Sequence, residues 1–174
     1  RQGCDVWMEP RYFCLDGQAG APPDDFAVDG QNWGFPTYNW EAMLADGCQW
    51  WNRRFTHMAL YFNAYRIDHI LGFFRIWEIP IQAVRGLLGQ FAPALALSPD
   101  DMAVYGLHFD RAMTCPHITD SVVDAVAGSQ AAYLRQHCLS AQADGIYTLR
   151  PEVDSERKVQ ARVKAHQLSE AQGR

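Results

Sequence analysis

Tyr65-Arg66-Ile67-Asp68-His69-Ile70-Leu71-Gly72-Phe73-Phe74-Arg75-Ile76-Trp77-Glu78-Ile79-Pro80 is the stretch on which the reading of this chain turns. It joins a charged pair, Arg66 and Asp68, to an aromatic run that closes at Pro80. Taken as a strand, Ala64 to Asp68 alternates its side chains, so Ala64, Arg66 and Asp68 share one face while Tyr65 and Ile67 share the other. A charged pair on the inner face of a parallel barrel strand, at the end where the chain turns into Gly72, sits at the C-terminal mouth, where barrel enzymes keep their catalytic groups. Arg66 within a few ångströms favours the charged form of Asp68. An ionised, oriented carboxylate is a nucleophile.

Upstream, Gly17 to Asn39 reads as a loop, because Gly17, Gly20, Pro22, Pro23, Gly30, Gly34 and Pro36 interrupt every regular run. A loop of that length inside a compact domain is usually functional. Phe26, Trp33, Phe35, Tyr38 and Trp40 offer flat apolar faces, and Asp24, Asp25, Gln31 and Asn32 offer hydrogen-bond partners. Sugars present C–H faces and hydroxyl edges, so this mixture suits a glucan. The plainer alternative is that the aromatics fill the core beneath the loop.

Asn39 is an N-cap with Glu41 in the first turn. From there Trp40, Met43, Leu44, Gly47, Trp51, Phe55, Met58 and Phe62 follow helical spacing, predicting one scaffold helix, with His57 structural, that delivers the chain into Ala64. The segment His69 to Ile79 is too aromatic for a solvated loop and is expected to fold over the barrel mouth. Glu78 is a second carboxylate, but its spacing does not place it opposite Asp68, and it is not assigned as acid/base. Pro80 reads as the first residue of a short helix carrying Ile81, Val84, Leu87, Leu88 and Phe91. Ser98-Pro99-Asp100-Asp101 starts another, Thr119-Asp120 a third that stops at Gly128, and Ser129 to Cys138 and Asp154 to Leu168 are further amphipathic helices. The fold expected is α/β: residues 1–80 as a barrel segment with its active-site loop and nucleophile strand, residues 81–174 as a helical inserted region of the same catalytic domain.

Arg66-Ile67-Asp68-His69, followed by Gly72-Phe73 and Trp77-Glu78-Ile79-Pro80, resembles the nucleophile motif of the amylomaltase or disproportionating-enzyme family, family 77 of the glycoside hydrolases, which are 4-alpha-glucanotransferases. The form Ile70-Leu71-Gly72-Phe73-Phe74-Arg75-Ile76-Trp77 is closer to the larger maltose-using members than to the compact bacterial amylomaltases. Gly20-Ala21-Pro22-Pro23-Asp24-Asp25-Phe26 and Gly30-Gln31-Asn32-Trp33-Gly34-Phe35-Pro36-Thr37-Tyr38-Asn39-Trp40 resemble the family's active-site loop in the right order. Asp5-Val6-Trp7 is similar to its Asp-x-Trp after the third barrel strand, with Gln2-Gly3 where Asn-Ser or Asp-Ser usually stands. Cys115-Pro116-His117-Ile118-Thr119-Asp120 and Arg150-Pro151-Glu152-Val153-Asp154 are weaker landmarks. The resemblance implies a partial TIM (β/α)8 barrel of the alpha-amylase clan. It implies Asp68 as nucleophile, Arg66 as the group orienting it, Trp33 stacking a glucosyl ring, Asp24, Phe26 and Gln31 along the bound chain or shaping the loop, and Tyr38, His69 and Asp5 as further substrate contacts, with a packed His69 and a turn-forming Asp5 as the alternatives. Catalysis would be retaining, through a glucosyl-enzyme resolved by an acceptor sugar, with two carboxylates about 5 to 5.5 Å apart. The partners implied are an alpha-1,4-glucan donor such as maltose and a sugar or glycan acceptor. The sequence holds no phosphate loop, Cys/His metal cluster or Gly-x-Ser-x-Gly elbow, so chemistry with no cofactor and no metal is expected.

The family's Glu-Asp-Leu-Gly and Thr-His-Asp motifs, which hold the acid/base and a further carboxylate, do not occur here, so the isolated chain is expected to be inactive. At 174 residues it falls short of the roughly 250 a complete barrel takes, and it opens at Arg1 and closes at Gly173-Arg174, so it reads as part of a larger protein. A net charge of -5 gives no basic footprint for nucleic acid, and no apolar run approaches a membrane span. Cys4, Cys14, Cys48, Cys115 and Cys138 form neither an even framework nor a Cys-x-x-Cys pair, and read as reduced thiols of a cytoplasmic protein. Two other readings stay open: an alpha-glucan hydrolase of the alpha-amylase clan, and a non-catalytic carbohydrate-binding module in which Arg66 and Asp68 are only an ion pair.

Overall fold

The first surprise of the fold is that the glycine-rich segment after Asp16 is a central strand. The computed structural model describes residues 3–114, 116–165 and 167–168, and the chain divides into two compact units, Arg1–Ala94 and Leu95–Arg174. Arg1, Gln2, Cys115 and Gly173-Arg174, used in the sequence reading, lie outside the described residues. In the first unit α1 (Cys4–Met8) leads to β1 (Phe13–Cys14), β2 (Gly17–Ala21), β3 (Gln31–Asn32) and β4 (Thr37–Tyr38). Then follow α2 (Trp40–Ala45), α3 (Gln49–Met58), β5 (Ile76–Pro80) and β6 (Gln90–Ala92). One antiparallel sheet has the order β3-β2-β5-β6, with Gly17 opposite Pro80 and Gly20 opposite Trp77, and β1 pairs separately with β4. Glycine weakens a strand taken alone. Here β2 is buried from Gly17 to Gly20, the Glu78 side chain lies against bare Gly17, and Gln18 donates from Nε2 to the carbonyls of Pro80 and Ala83 at 3.1 and 3.3 Å. Pairing with β5 overrides the local turn signal.

Pro80, expected to open a helix, closes β5 instead. It needs no N–H there, and its carbonyl accepts from Ala83 N at 2.9 Å. The chain continues through a 3-10 turn at Gly86–Leu88 into β6, and this hairpin belongs to the first unit, which runs to Ala94. The expected single helix from Trp40 to Phe62 is two. Gly47 (φ 72°) and Cys48 (φ 59°) are left-handed and break it, a conformation that glycine adopts freely. Asp46 Oδ1 accepts from Gln49 N at 3.1 Å and restarts the chain as α3.

The parallel strand expected at Ala64 to Asp68 is not formed. Among the described residues no strand pairs with this segment, every pairing is antiparallel, and the segment runs irregularly off the end of α3. What holds it is Tyr65, whose ring packs on Phe55 and whose hydroxyl donates to the Phe55 carbonyl at 3.2 Å. A lone strand has no ladder to satisfy its backbone, and water takes that role. Leu60, Phe62, Ile67, Leu71 and Phe74 are exposed along the same stretch.

The core of this unit is Tyr12, Met43 and Trp50, ringed by Phe13, Tyr38, Trp40 and Trp51. Tyr12 is fully enclosed and donates its hydroxyl to Asp46, the same carboxylate that accepts from the first N–H of α3. The Leu95–Arg174 unit holds α4 (Pro99–Val104), β7 (Ile118–Thr119), α5 (Asp120–Ala127), α6 (Ala131–His137), β8 (Leu139–Ala141), β9 (Ile146–Leu149) and α7 (Glu156–Lys164). Its sheet has the order β7-β9-β8, which the sequence reading did not anticipate. The helix starts match their caps: Ser98 forms a capping box with Asp101, and Thr119 and Ser155 cap α5 and α7. Arg135 on α6 bonds Asp120 and Asp124, both at 2.7 Å, and ties α6 to α5 over a core of Val123, Ala131 and Leu139.

The hydrogen bond from Tyr12 lowers the Asp46 pKa, so the contribution of this contact is in place above the ordinary carboxylate value near 3.9 and is lost as pH falls through the lowered one. Tyr12→Phe is expected to shift the urea midpoint of the first unit downward at pH 7 and to converge with the unsubstituted chain in acid. A midpoint difference that persists unchanged at pH 2 would show the bond to be irrelevant to acid stability.

Candidate functional site

The loop between β2 and β4 is laced to the sheet by its backbone. Ala19 N donates to Phe35 O at 2.8 Å and Ala19 O accepts from Trp33 N at 3.0 Å, so a single β2 residue fixes both. Between residues 33 and 35 the chain bends at left-handed Gly34, φ 74°. Their rings stack, with centroids 5.8 Å apart at 24°. Trp33 Nε1 donates to Gln31 Oε1 at 3.0 Å, which turns the indole edge toward the amide.

His69 closes the arrangement from the other side. It is left-handed, φ 52°, a conformation that costs a non-glycine residue about 1–2 kcal/mol and therefore marks a position held by its surroundings. That bend turns the chain out of Asp68 into the 3-10 turn Ile70–Phe73 and sets the imidazole edge-on against Trp33, centroids 5.0 Å apart at 84°. Gly72 makes room: a Cβ there would fall 2.9 Å from His69 Cδ2.

Of the residues read as functional, the structure gathers Gln31, Trp33 and His69 into one cluster. Arg66 and Asp68 do form an ion pair, 3.3 Å from Nη2 to Oδ1, but both side chains are 88% exposed. The expected burial on an inner strand face is absent, and water screens the pair. Asp24 shapes the loop: its Oδ1 accepts from Phe26 N and Ala27 N at 2.9 and 2.7 Å, and Phe26 is left 98% exposed. Tyr38 packs in the aromatic core among Phe13, Trp40, Trp50 and Trp51, where burial pushes its phenol upward against the opposing pull of Arg54. Asp5 pairs with Arg54 at 2.9 Å and lines a cleft of about 340 Å³ with Glu9, Trp50, Arg53, Arg54, His57 and Met58. Glu78, left unassigned above, accepts from the hydroxyl of Thr37 on β4, linking the two sheets. Phe35 stands among the loop aromatics without a role in the sequence, and the left-handed bend that stacks it on Trp33 is signalled there only by Gly34.

An aromatic face edged by an amide and an imidazole can stack a sugar ring and hydrogen-bond its hydroxyls. Residues 1–169 match the family profile described as 4-alpha-glucanotransferase, glycoside hydrolase family 77. The 4-alpha-glucanotransferase DPE2 of rice, Oryza sativa subsp. japonica, is 45% identical over 165 residues, 94% of this chain and 17% of that protein. The 4-alpha-glucanotransferase of Aquifex aeolicus is 42% identical over 96 residues, 52% of this chain and 20% of the relative. Among solved structures, the amylomaltase from Streptococcus agalactiae in complex with acarbose aligns with a TM-score of 0.48 and 35% identity, covering 57% of this chain and 21% of the other. The chain belongs to the 4-alpha-glucanotransferase family. It spans about a fifth or less of the length of these relatives.

Gly72→Val is expected to drive the imidazole off the indole, read as loss of the nuclear Overhauser contacts between the His69 and Trp33 rings. Retention of those contacts would show that Gly72 does not set the His69 position.

Proposed function

We propose that this chain carries the nucleophile and the aromatic loop of a 4-alpha-glucanotransferase that moves glucosyl or maltooligosaccharide units from alpha-1,4-glucans such as maltose to acceptor sugars. The observation that carries the reading is the edge-on contact of His69 with Trp33, because His69 directly follows Asp68 and so brings the Arg66-Ile67-Asp68-His69 motif beside the aromatic face. Asp68 attacks the anomeric carbon and forms a covalent glucosyl-enzyme while the reducing-end portion leaves. Arg66, already within 3.3 Å of Asp68, orients the carboxylate. Trp33 and Phe35 stack the sugar, and Gln31 and His69 bond its hydroxyls. Drying of the site by these rings favours a sugar hydroxyl over water in resolving the intermediate.

The finer architecture belongs to the same proposal. Ala64 to Asp68 becomes a strand of a (β/α)8 barrel once neighbouring strands supply its ladder, and that pairing brings Asp68 out of bulk water into the mouth. The setting proposed is the cytoplasm. Among the described residues no helix is long and apolar enough to cross a membrane.

The test is a trapping experiment on this chain grafted into the corresponding span of a full-length family member such as the rice relative. A 5-fluoro-glucosyl donor should leave its label on Asp68, and Asp68→Asn should lower transfer on the order of 10⁴-fold or more. A label elsewhere in a protein that still transfers glucose overturns the nucleophile assignment, and maltose release without transfer to added acceptor favours a hydrolase. Trp33→Ala should raise the acceptor KM about tenfold or more, as expected for loss of a buried aromatic anchor. The isolated chain, incubated with maltose and glycogen, is expected to transfer nothing above background, and any transfer overturns that expectation.

A further inference from the structure

Trp33 is held by its neighbours as well as by β2, and one of those neighbours, Asn32, read from the sequence as a hydrogen-bond partner for a glucan, bonds the protein's own backbone with both ends of its amide. Its side-chain oxygen accepts from Gly34 N at 2.9 Å, closing a turn around Trp33. Its side-chain nitrogen donates to the Val84 carbonyl at 3.0 Å, tying the same residue to the segment that follows β5. One amide therefore works in both directions, which only a group with both an acceptor and a donor can do.

The segment it reaches lies flat against the loop. A Cβ on Gly86 would fall 2.6 Å from Gln31 N and 2.8 Å from Gly30 C, so the two backbones touch with no side chain between them. Arg85 Nε stands 3.7 Å from Asp29 Oδ2. From the sheet, Trp77 donates from Nε1 to the Gly86 carbonyl at 2.7 Å and holds the turn in place. The chain from Asp29 to Asn32 is thus clamped between β2 on one side and the Val84–Gly86 turn on the other.

We infer that Asn32 is a positioning residue that sets the angle of the Trp33 indole against Phe35 and His69 by locking the loop to the Val84–Gly86 turn. Its consequence for sugar binding rests on the reading of Trp33 as a sugar-stacking face; the positioning itself does not. Ala19 fixes only backbone atoms of residues 33 and 35, and Gln31, whose side chain holds the indole N–H, lies in the segment that Asn32 braces, so the tilt of the ring follows the turn that Asn32 closes.

The experiment is ¹⁹F NMR of the 174-residue chain labelled with 5-fluorotryptophan, its lines assigned by Trp33→Phe and Trp50→Phe. Asn32→Ala is expected to shift and broaden the Trp33 line and to leave that of Trp50, in the core, where it was. Asn32→Asp keeps the acceptor for Gly34 but loses the donor to Val84, and should move the Trp33 line in the same direction by less. A Trp33 line unmoved in both variants, or a Trp50 line that moves as far as that of Trp33, overturns the inference. If Asn32→Ala fails to fold, Asn32→Asp decides by the same criteria. Titration of the labelled chain with maltotriose separates this from the functional reading. A Trp33 line that responds to sugar, with roughly tenfold weaker binding after Asn32→Asp, supports both. A Trp33 line blind to sugar but sensitive to Asn32 overturns the sugar-stacking role and leaves the positioning role standing.

Discussion

The ladder between β2 and β5 is the constraint on which the first unit depends. It joins Gly17–Ala21 to Ile76–Pro80 across more than fifty residues of intervening chain, and everything between is arranged by that closure. The loop that carries Trp33 and Phe35 leaves from the far edge of β2, whereas His69 arrives just ahead of β5. Their rings meet because their strands do. The close fit of the ladder depends on the bare glycines of β2, Gly17 leaving room for Glu78 and Gly20 for Ile79, and on buried Gln18, whose amide bonds the carbonyls of Pro80 at the end of β5 and of Ala83 beyond it.

What the sequence disclosed and what it withheld separate along the same line. Helix starts are local, and Asn39, Ser98 and Thr119 reveal them because each cap bonds a backbone N–H only three residues away. β2 stayed hidden because its stability lies in its partners, and a segment reading Gly-Gln-Ala-Gly-Ala carries no strand signal of its own. The β7-β9-β8 sheet was missed for the same reason, its strands being two to four residues long. The opposite error occurred at Ala64 to Asp68. Its alternation and charge pair suited a strand, but nothing among the described residues offers it a ladder, and alternation alone does not make one.

At the site, residue types were legible and their assembly was not. Trp33, Gln31 and His69 stand out by chemistry and motif, and they come together. Tyr38 stands out equally and goes to the core, because its position opposite Phe13 in the short β1–β4 pairing sends its ring toward Trp50 and Trp51. Asp24, read as lying along the bound chain or shaping the loop, is a turn former here, its oxygen committed to two backbone N–H groups. Asn32 reads in the sequence as one more polar group of the loop, and its bracing of the turn is not legible there. Its neighbour Trp33 is the conspicuous residue, and the Val84 carbonyl it reaches belongs to a segment that the sequence presents as helix.

The two hydrogen bonds of Ala19 have a bearing on how such a loop changes over time. They engage Trp33 and Phe35 through main-chain atoms alone, so the register of the loop is indifferent to which side chains it displays. The rings that face outward at these two positions are in that sense interchangeable fittings on a fixed mount. A lineage, or a designer, can exchange them for other shapes and polarities without rebuilding the sheet beneath, and alter what the surface grips while the scaffold stays as it was.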